Sequence, residues 1–178
     1  PVRLFSPAGT PAQYLAQFGF VGEGVKLPDA HTLWQASGDL LAPGKPVTLS
    51  WDNGQGQIFR ITFGIDAQYM LSAEQSIENR GAAPVVVRPY AFVSRTSDTA
   101  SIDTWNVHSG PIGASDGAVD FNVSYKCSGF FLSPCVDLGE KTRIALEGKP
   151  NWIGFTDIYW LSALIAQPGS NPDADFRS

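Results

Sequence analysis

Residues 47–65 read Val47-Thr-Leu-Ser-Trp-Asp-Asn-Gly-Gln-Gly-Gln-Ile-Phe-Arg-Ile-Thr-Phe-Gly-Ile65, and their alternation decides the fold class. Phe59, Ile61, Phe63 and Ile65 take every second position, with Arg60, Thr62 and Gly64 between them. A strand points successive side chains to opposite faces, so this period gathers apolar groups on one sheet face. Val47–Trp51 reads as a strand before it. Between the two, Asp52-Asn-Gly-Gln-Gly56 is turn chemistry, because Asn and Gly tolerate the positive φ of a tight reversal. The stretch predicts an antiparallel hairpin of Val47–Trp51 with Ile58–Ile65.

The same period recurs outward from this hairpin. Tyr69, Leu71, Ala73, Gln75 and Ile77 alternate with Met70, Ser72, Glu74, Ser76 and Glu78. Val119, Phe121, Val123 and Tyr125 alternate with Asp120, Asn122, Ser124 and Lys126. Further strands are expected at Val85–Arg95, Arg143–Leu146, Trp152–Thr156 and Tyr159–Ile165. Pro43-Gly44, Asn79-Arg-Gly81 and Gly113 to Gly117 read as turns between strands, and Pro168 to Ser178 as a loop. The segment after Thr10-Pro11 carries helix-end signals, with Gly19 beyond it, yet Tyr14, Ala16, Phe18 and Phe20 alternate; a strand is the preferred reading. The fold expected is an all-β, antiparallel β-sandwich in a single domain over residues 1–178. Phe59, Ile61, Phe63, Val119, Phe121 and Val123 are its expected core.

Charge narrows the function. The 178 residues hold 12 Lys+Arg against 17 Asp+Glu, a net charge of −5. Displacing counterions from nucleic acid needs a basic stripe, and none is present, so no nucleic-acid partner is expected. The longest strongly apolar stretch, Tyr159 to Ala166, falls far short of the roughly 20 residues of a spanning helix. With no initiating Met and no signal peptide, the chain is expected to be an excerpt of a longer protein.

The motifs that could carry chemistry are weak. Gly113-Ala-Ser-Asp-Gly117 matches a nucleophile elbow in letters, but a strand pattern follows it instead of a helix, and no His follows Ser115. Asp103, His108 and Ser109 hold triad residue types at a spacing that proves nothing about space. His31 and His108 would suffice in number for an acid–base pair of the kind mutarotases use, without local support. Asp52–Gly56 lacks the alternating oxygen ligands and closing Glu of a calcium loop. No catalytic residue, cofactor or metal ligand is assigned. Cys127 and Cys135, eight residues apart around Gly129 and Pro134, are candidates for a disulfide in an oxidising compartment. Trp105, His108, Trp152, Tyr159 and Trp160 are candidate cleft or partner contacts, with core packing the plainer reading for most of the aromatics.

An ordered set of short motifs resembles the large periplasmic domain of YidC-type membrane protein insertases, in its alphaproteobacterial form. The motifs are Val2-Arg-Leu-Phe-Ser-Pro7, Phe18-Gly-Phe-Val-Gly22, Leu41–Gly56, Tyr69-Met70, Arg88-Pro-Tyr90 and Ser94-Arg95. They continue with His108-Ser-Gly-Pro-Ile-Gly113 and Trp152-Ile-Gly-Phe-Thr-Asp-Ile-Tyr-Trp-Leu161. The resemblance implies a β-supersandwich, a mutarotase-like fold, with strands beyond both ends of this chain. It implies a non-catalytic module on the periplasmic side of the bacterial inner membrane that supports insertion and folding of membrane proteins. The partners it implies are the protein's own transmembrane insertase domain, Sec translocon accessory subunits and substrate membrane proteins. Two departures stand out: Ser109 replaces a common Glu, and the Cys127–Cys135 segment with its Phe130-Phe131-Leu132 tip is outside the family pattern. A carbohydrate-binding or aldose-epimerase-like β-supersandwich domain is the alternative.

Overall fold

Strand β4 (Gln57–Ile65) buries every second residue of its first half, with Gln57, Phe59 and Ile61 inside and Phe63 half-buried. The computed structural model describes residues 5–96, 108–124, 136–138, 143–157 and 160–177, and among these every regular element is a strand. β3 (Val47–Asp52) pairs antiparallel with β4 from Val47↔Phe63 to Asp52↔Ile58. On the other side β5 (Leu71–Asn79) runs antiparallel from Gln57↔Asn79 to Ile65↔Leu71. A short β2 (Gln35–Ala36) completes the order β2-β3-β4-β5. The hairpin expected from Asp52–Gly56 is present. Gly54 and Gly56 take φ of 73° and 94°, and the Asn53 amide donates to the Gln57 carbonyl at 3.1 Å.

The chain divides into two compact units, Gln17–Ala91 and a second made of Pro1–Ala16 with Phe92–Ser178. In the first, the sheet is faced by β1 (Tyr14–Gly22), which pairs with β6 (Val87–Arg95). Phe18 meets Phe63 edge-on at 5.5 Å, and Phe20 meets Phe59 likewise at 5.1 Å. Phe59 is wholly buried, with Val25, Leu27, Trp34, Trp51, Ile77 and Val87 packed around the Phe20–Phe59–Ile61 cluster. The inner row is not all apolar: Gln75 turns its amide to donate to the Gly19 carbonyl at 2.6 Å. The outer face carries Thr48 against Thr62 and Arg60 paired with Glu78 at 2.6 Å, as alternation requires.

The second unit is built on a sheet of order β13-β12-β7-β8. Its strands are β7 (Gly110–Ser115), β8 (Ala118–Asp120), β12 (Pro150–Thr156) and β13 (Leu161–Ile165). β11 (Arg143–Ala145) pairs antiparallel with β14 (Asp175–Arg177), and β9 (Val123–Ser124) pairs in parallel with β10 (Val136–Asp137). Val123, Leu138, Leu146 and Phe176 form the core here, with Ile153 of β12 packed on them. Gly113, in register with Ile153, lets Leu146 close on the sheet: a Cβ there would lie 3.2 Å from Leu146 Cδ1.

Four expectations are corrected. Val119 and Phe121 are each 52% exposed and not core. Val119 pairs with Ala114, on the sheet face opposite that of Ile153, but on the edge strand β8, whereas Ala114 on β7 is buried. After it, Asp120 Oδ1 accepts from the Asn122 amide at 2.9 Å, the strand ends, and the period restarts at Val123, which is buried. Gly113 to Gly117 is mostly strand; the turn is Asp116-Gly117 alone, both at positive φ (50° and 80°), closing the Ser115↔Ala118 pair. The stretch Pro168 to Ser178 contains β14, whose Phe176 is 4% exposed. Tyr69 and Leu71, placed on the alternating face of β5, are 84% and 52% exposed: Tyr69 lies in the β4–β5 turn, and Leu71 is the first residue of the edge strand β5, paired with Ile65.

Candidate functional site

Of the candidate contacts, Trp105 and Tyr159 lie outside the described residues, as do Cys127, Cys135 and Asp103. His108 precedes β7, and its Nε2 lies 2.7 Å from the Pro111 carbonyl. A carbonyl oxygen can only accept, so Nε2 carries the proton in that bond and the ring is tied to its own strand. The ring also lies 6.1 Å from that of Phe121. Trp152 sits on β12 between Ala114 and Ile165, half-buried. Trp160 closes the β12–β13 connection, its carbonyl accepting from the Asp157 amide at 2.8 Å, and its side chain is half exposed. Gly110 pairs with Thr156, so His108 and Trp160 share one end of this sheet. Trp152 stands four residues away along β12, about 13 Å at strand rise.

The elbow reading finds no geometry among the described residues, and the triad reading involves Asp103, which lies outside them. Ser115 ends β7 at a two-residue turn that leads into another strand. The Ser109 hydroxyl is buried and has no hydrogen-bond partner among the described residues. His31 is exposed, in a turn where its amide donates to Asp29 Oδ1 at 2.9 Å. That bond comes first among the causes holding the Asp29 carboxyl below its ordinary value. Among the described residues no three His, Cys, Asp or Glu side chains cluster to hold a metal. An open recess of about 290 Å³ in the first unit is lined by Ile77, Asn79, Pro84, Val85 and Val87, none of them a candidate.

The structure assigns distinctive roles instead to residues inside the quoted motifs. Asn53 is 4% exposed and satisfied on every side. Its Oδ1 accepts from the Gln55 and Gln57 amides, and its Nδ2 donates to the Lys26 carbonyl and to Gln57 Oε1. Gln57 passes the network on to Asn79 at 2.9 Å. Arg95, with a side chain 1% exposed, pairs with Asp157 at 3.2 Å and lies over the Tyr14 ring at 5.3 Å. Tyr90 covers Gly19 so closely that a Cβ there would lie 2.5 Å from the ring. Sequence reasoning missed Asn53 and Arg95 as buried polar residues. Their presence in motifs alongside Asp157 was the available signal.

Comparison with known proteins agrees with this reading. Residues 1–178 match the model of the YidC periplasmic domain family throughout. The chain is 41% identical over 178 residues to the membrane protein insertase YidC of Zymomonas mobilis, covering 99% of this chain and 29% of that protein. It is 36% identical over 182 residues to that of Bradyrhizobium diazoefficiens, covering 100% and 28%. With that of Rickettsia canadensis the identity is 34% over 178 residues, covering 99% and 30%. The chain thus spans less than a third of the length of these curated relatives. No solved structure matches. An all-β chain whose motif residues build its turns and buried polar contacts, matched from end to end, belongs to the YidC periplasmic domain family.

Proposed function

We propose that this domain is a non-catalytic scaffolding module of a membrane protein insertase. It acts through contacts with the transmembrane part of the same protein and with accessory subunits of the Sec translocon, and it supports substrate membrane proteins during insertion and folding. The observation that carries this reading is the family match over residues 1–178, with relatives named membrane protein insertase. The use of Asn53, His108 and Arg95 in internal bonds supports it, because these side chains hold strands and turns together.

The test has two arms. In cells, an insertase carrying surface changes in this domain should lose capture of Sec accessory subunits and insert its substrates more slowly, while its abundance stays unchanged. Unaltered capture and insertion across the whole domain surface would remove the scaffolding role. In vitro, the purified chain should show no sugar epimerase turnover; turnover abolished by His108→Ala would establish the enzymatic reading in its place.

A further inference from the structure

Two connections leave the same end of the four-stranded sheet in Gln17–Ala91: residues 37–46 between β2 and β3, and 66–70 between β4 and β5. The second is organised by Asp66. Its amide donates to the Met70 carbonyl at 3.1 Å, and its carbonyl accepts from the Tyr69 amide at 3.3 Å. Its Oδ1 accepts from the Gln68 and Met70 amides at 2.8 and 2.9 Å. The closure holds Tyr69 at φ 63°, a left-handed conformation that Gly or Asn adopts far more readily than an aromatic residue.

The strained residue gains little inside the fold. Tyr69 is 84% exposed, Met70 57%, Leu71 52%, and Leu40 on the neighbouring connection 67%. A large aromatic held in a disfavoured conformation and presented to solvent points to a role outside the chain. The chemistry of the end selects the occupant. These few side chains stand on and beside two short connections, whereas a protein interface of ordinary size needs roughly 20–30 residues a side. A bilayer accepts a tip. Tyrosine places an apolar ring and a polar hydroxyl at the boundary of headgroups and chains, with Met and Leu reaching further in. Lys45, exposed on the adjoining connection, supplies a cation for lipid phosphate. Asp39 and Asp66 oppose it in sign, and Asp66 directs one carboxylate oxygen to backbone amides.

We propose that Leu40, Tyr69, Met70 and Leu71 form an interfacial anchor that dips into the headgroup region of a phospholipid bilayer. The proposal rests on the reading that this domain works beside a membrane, as part of an insertase. It is tested on the 178-residue chain, held on phosphatidylethanolamine–phosphatidylcholine vesicles by a histidine tag at either end and nickel-chelating lipid. Benzoylphenylalanine replaces either Met70 or, as a control near the sheet's opposite end, Leu33, which is 89% exposed. Irradiation should give several-fold more phospholipid adduct at position 70 than at 33, with either tag. Tyr69→Gly, which suits the left-handed backbone and keeps the hairpin, should lower the adduct at 70 several-fold with an unchanged circular dichroism spectrum. Equal adducts at 70 and 33, a covalent dimer as the main product at 70, or no effect of Tyr69→Gly would each overturn the proposal. The assay reads no insertion, so failure of the insertase reading would show in the cellular experiment and not in this one.

Discussion

Asn53 shows how one side chain can hold three segments. Its amide ties the 53–57 turn to the Lys26 carbonyl and, through Gln57, to Asn79. Asn53→Ala would leave Gln57 Oε1 and several backbone groups unsatisfied in a buried site, at a cost of about 2–3 kcal/mol. The expected result is a lower urea midpoint with an unchanged slope. Asp175 makes a different kind of prediction. Arg177 first, and Arg143 after it, hold its carboxyl below the ordinary 3.8, against the opposing effect of burial. A carboxyl depressed in the folded chain stabilises it above the unfolded value, and that contribution is lost as pH falls through the folded value. Asp175 is 12% exposed, but its partners are 59% and 71% exposed, so solvent and salt weaken the pairs. Asp175→Asn should therefore cost no more than about 1 kcal/mol at neutral pH. It should also flatten the loss of stability below about pH 4. Urea titrations at several pH values read both.

At the scale of strands, the two phenylalanines expected in the core part company. Phe59 is wholly buried on the central strand, and Phe59→Ala should cost about 3–5 kcal/mol. Phe121 is 52% exposed beyond the end of β8, and Phe121→Ala should cost under about 1 kcal/mol. Equal losses in denaturant titrations would show that the strand break at Asp120–Asn122 is misplaced. β12 has its own sensitive point at Gly154, which pairs with Ala163. A Cβ there would collide with the Ser162 carbonyl and lie 2.7 Å from Ala163 Cα, both backbone atoms that cannot rotate away. Gly154→Ala should cost about 2–3 kcal/mol as β12 and β13 are forced apart. The alternation that revealed β4 was legible because one side of its first half is covered by Phe20 and the residues packed around Phe59 and Ile61. The β8–β9 region was not, since one side-chain-capped turn resets the period.

For the whole molecule, β1 and β6 each contribute residues to both compact units. We expect the chain to behave as a single domain, with one cooperative unfolding transition followed by circular dichroism and by tryptophan fluorescence; two separated transitions would show that the units fold independently. Cys127 and Cys135 are expected to be bonded in chain recovered from an oxidising compartment. The closed loop would contribute about 2–3 kcal/mol in the chain-entropy model. Thiol titration of the unreduced, denatured chain should find no free thiol, and two per chain would disprove the bond.

The sequence by itself determined the strands around Val47–Ile65, the reversal at Asp52–Gly56, the inward face of β4 and, through its motifs, the family. These follow from local rules: the two-residue period of a strand, and the tolerance of Gly for positive φ, act over a few neighbours. The tertiary structure decided what depends on distant segments. Val119 is exposed because it lies on β8, the short edge strand of its sheet, although its partner Ala114 is buried, and Phe176 is buried because β11, about 30 residues earlier, supplies the pairing edge for an end that reads as loop. Asn53 is a buried polar centre only because Lys26 and Asn79 arrive beside it. Alternation separates two faces, but only the second layer determines which of them is inside.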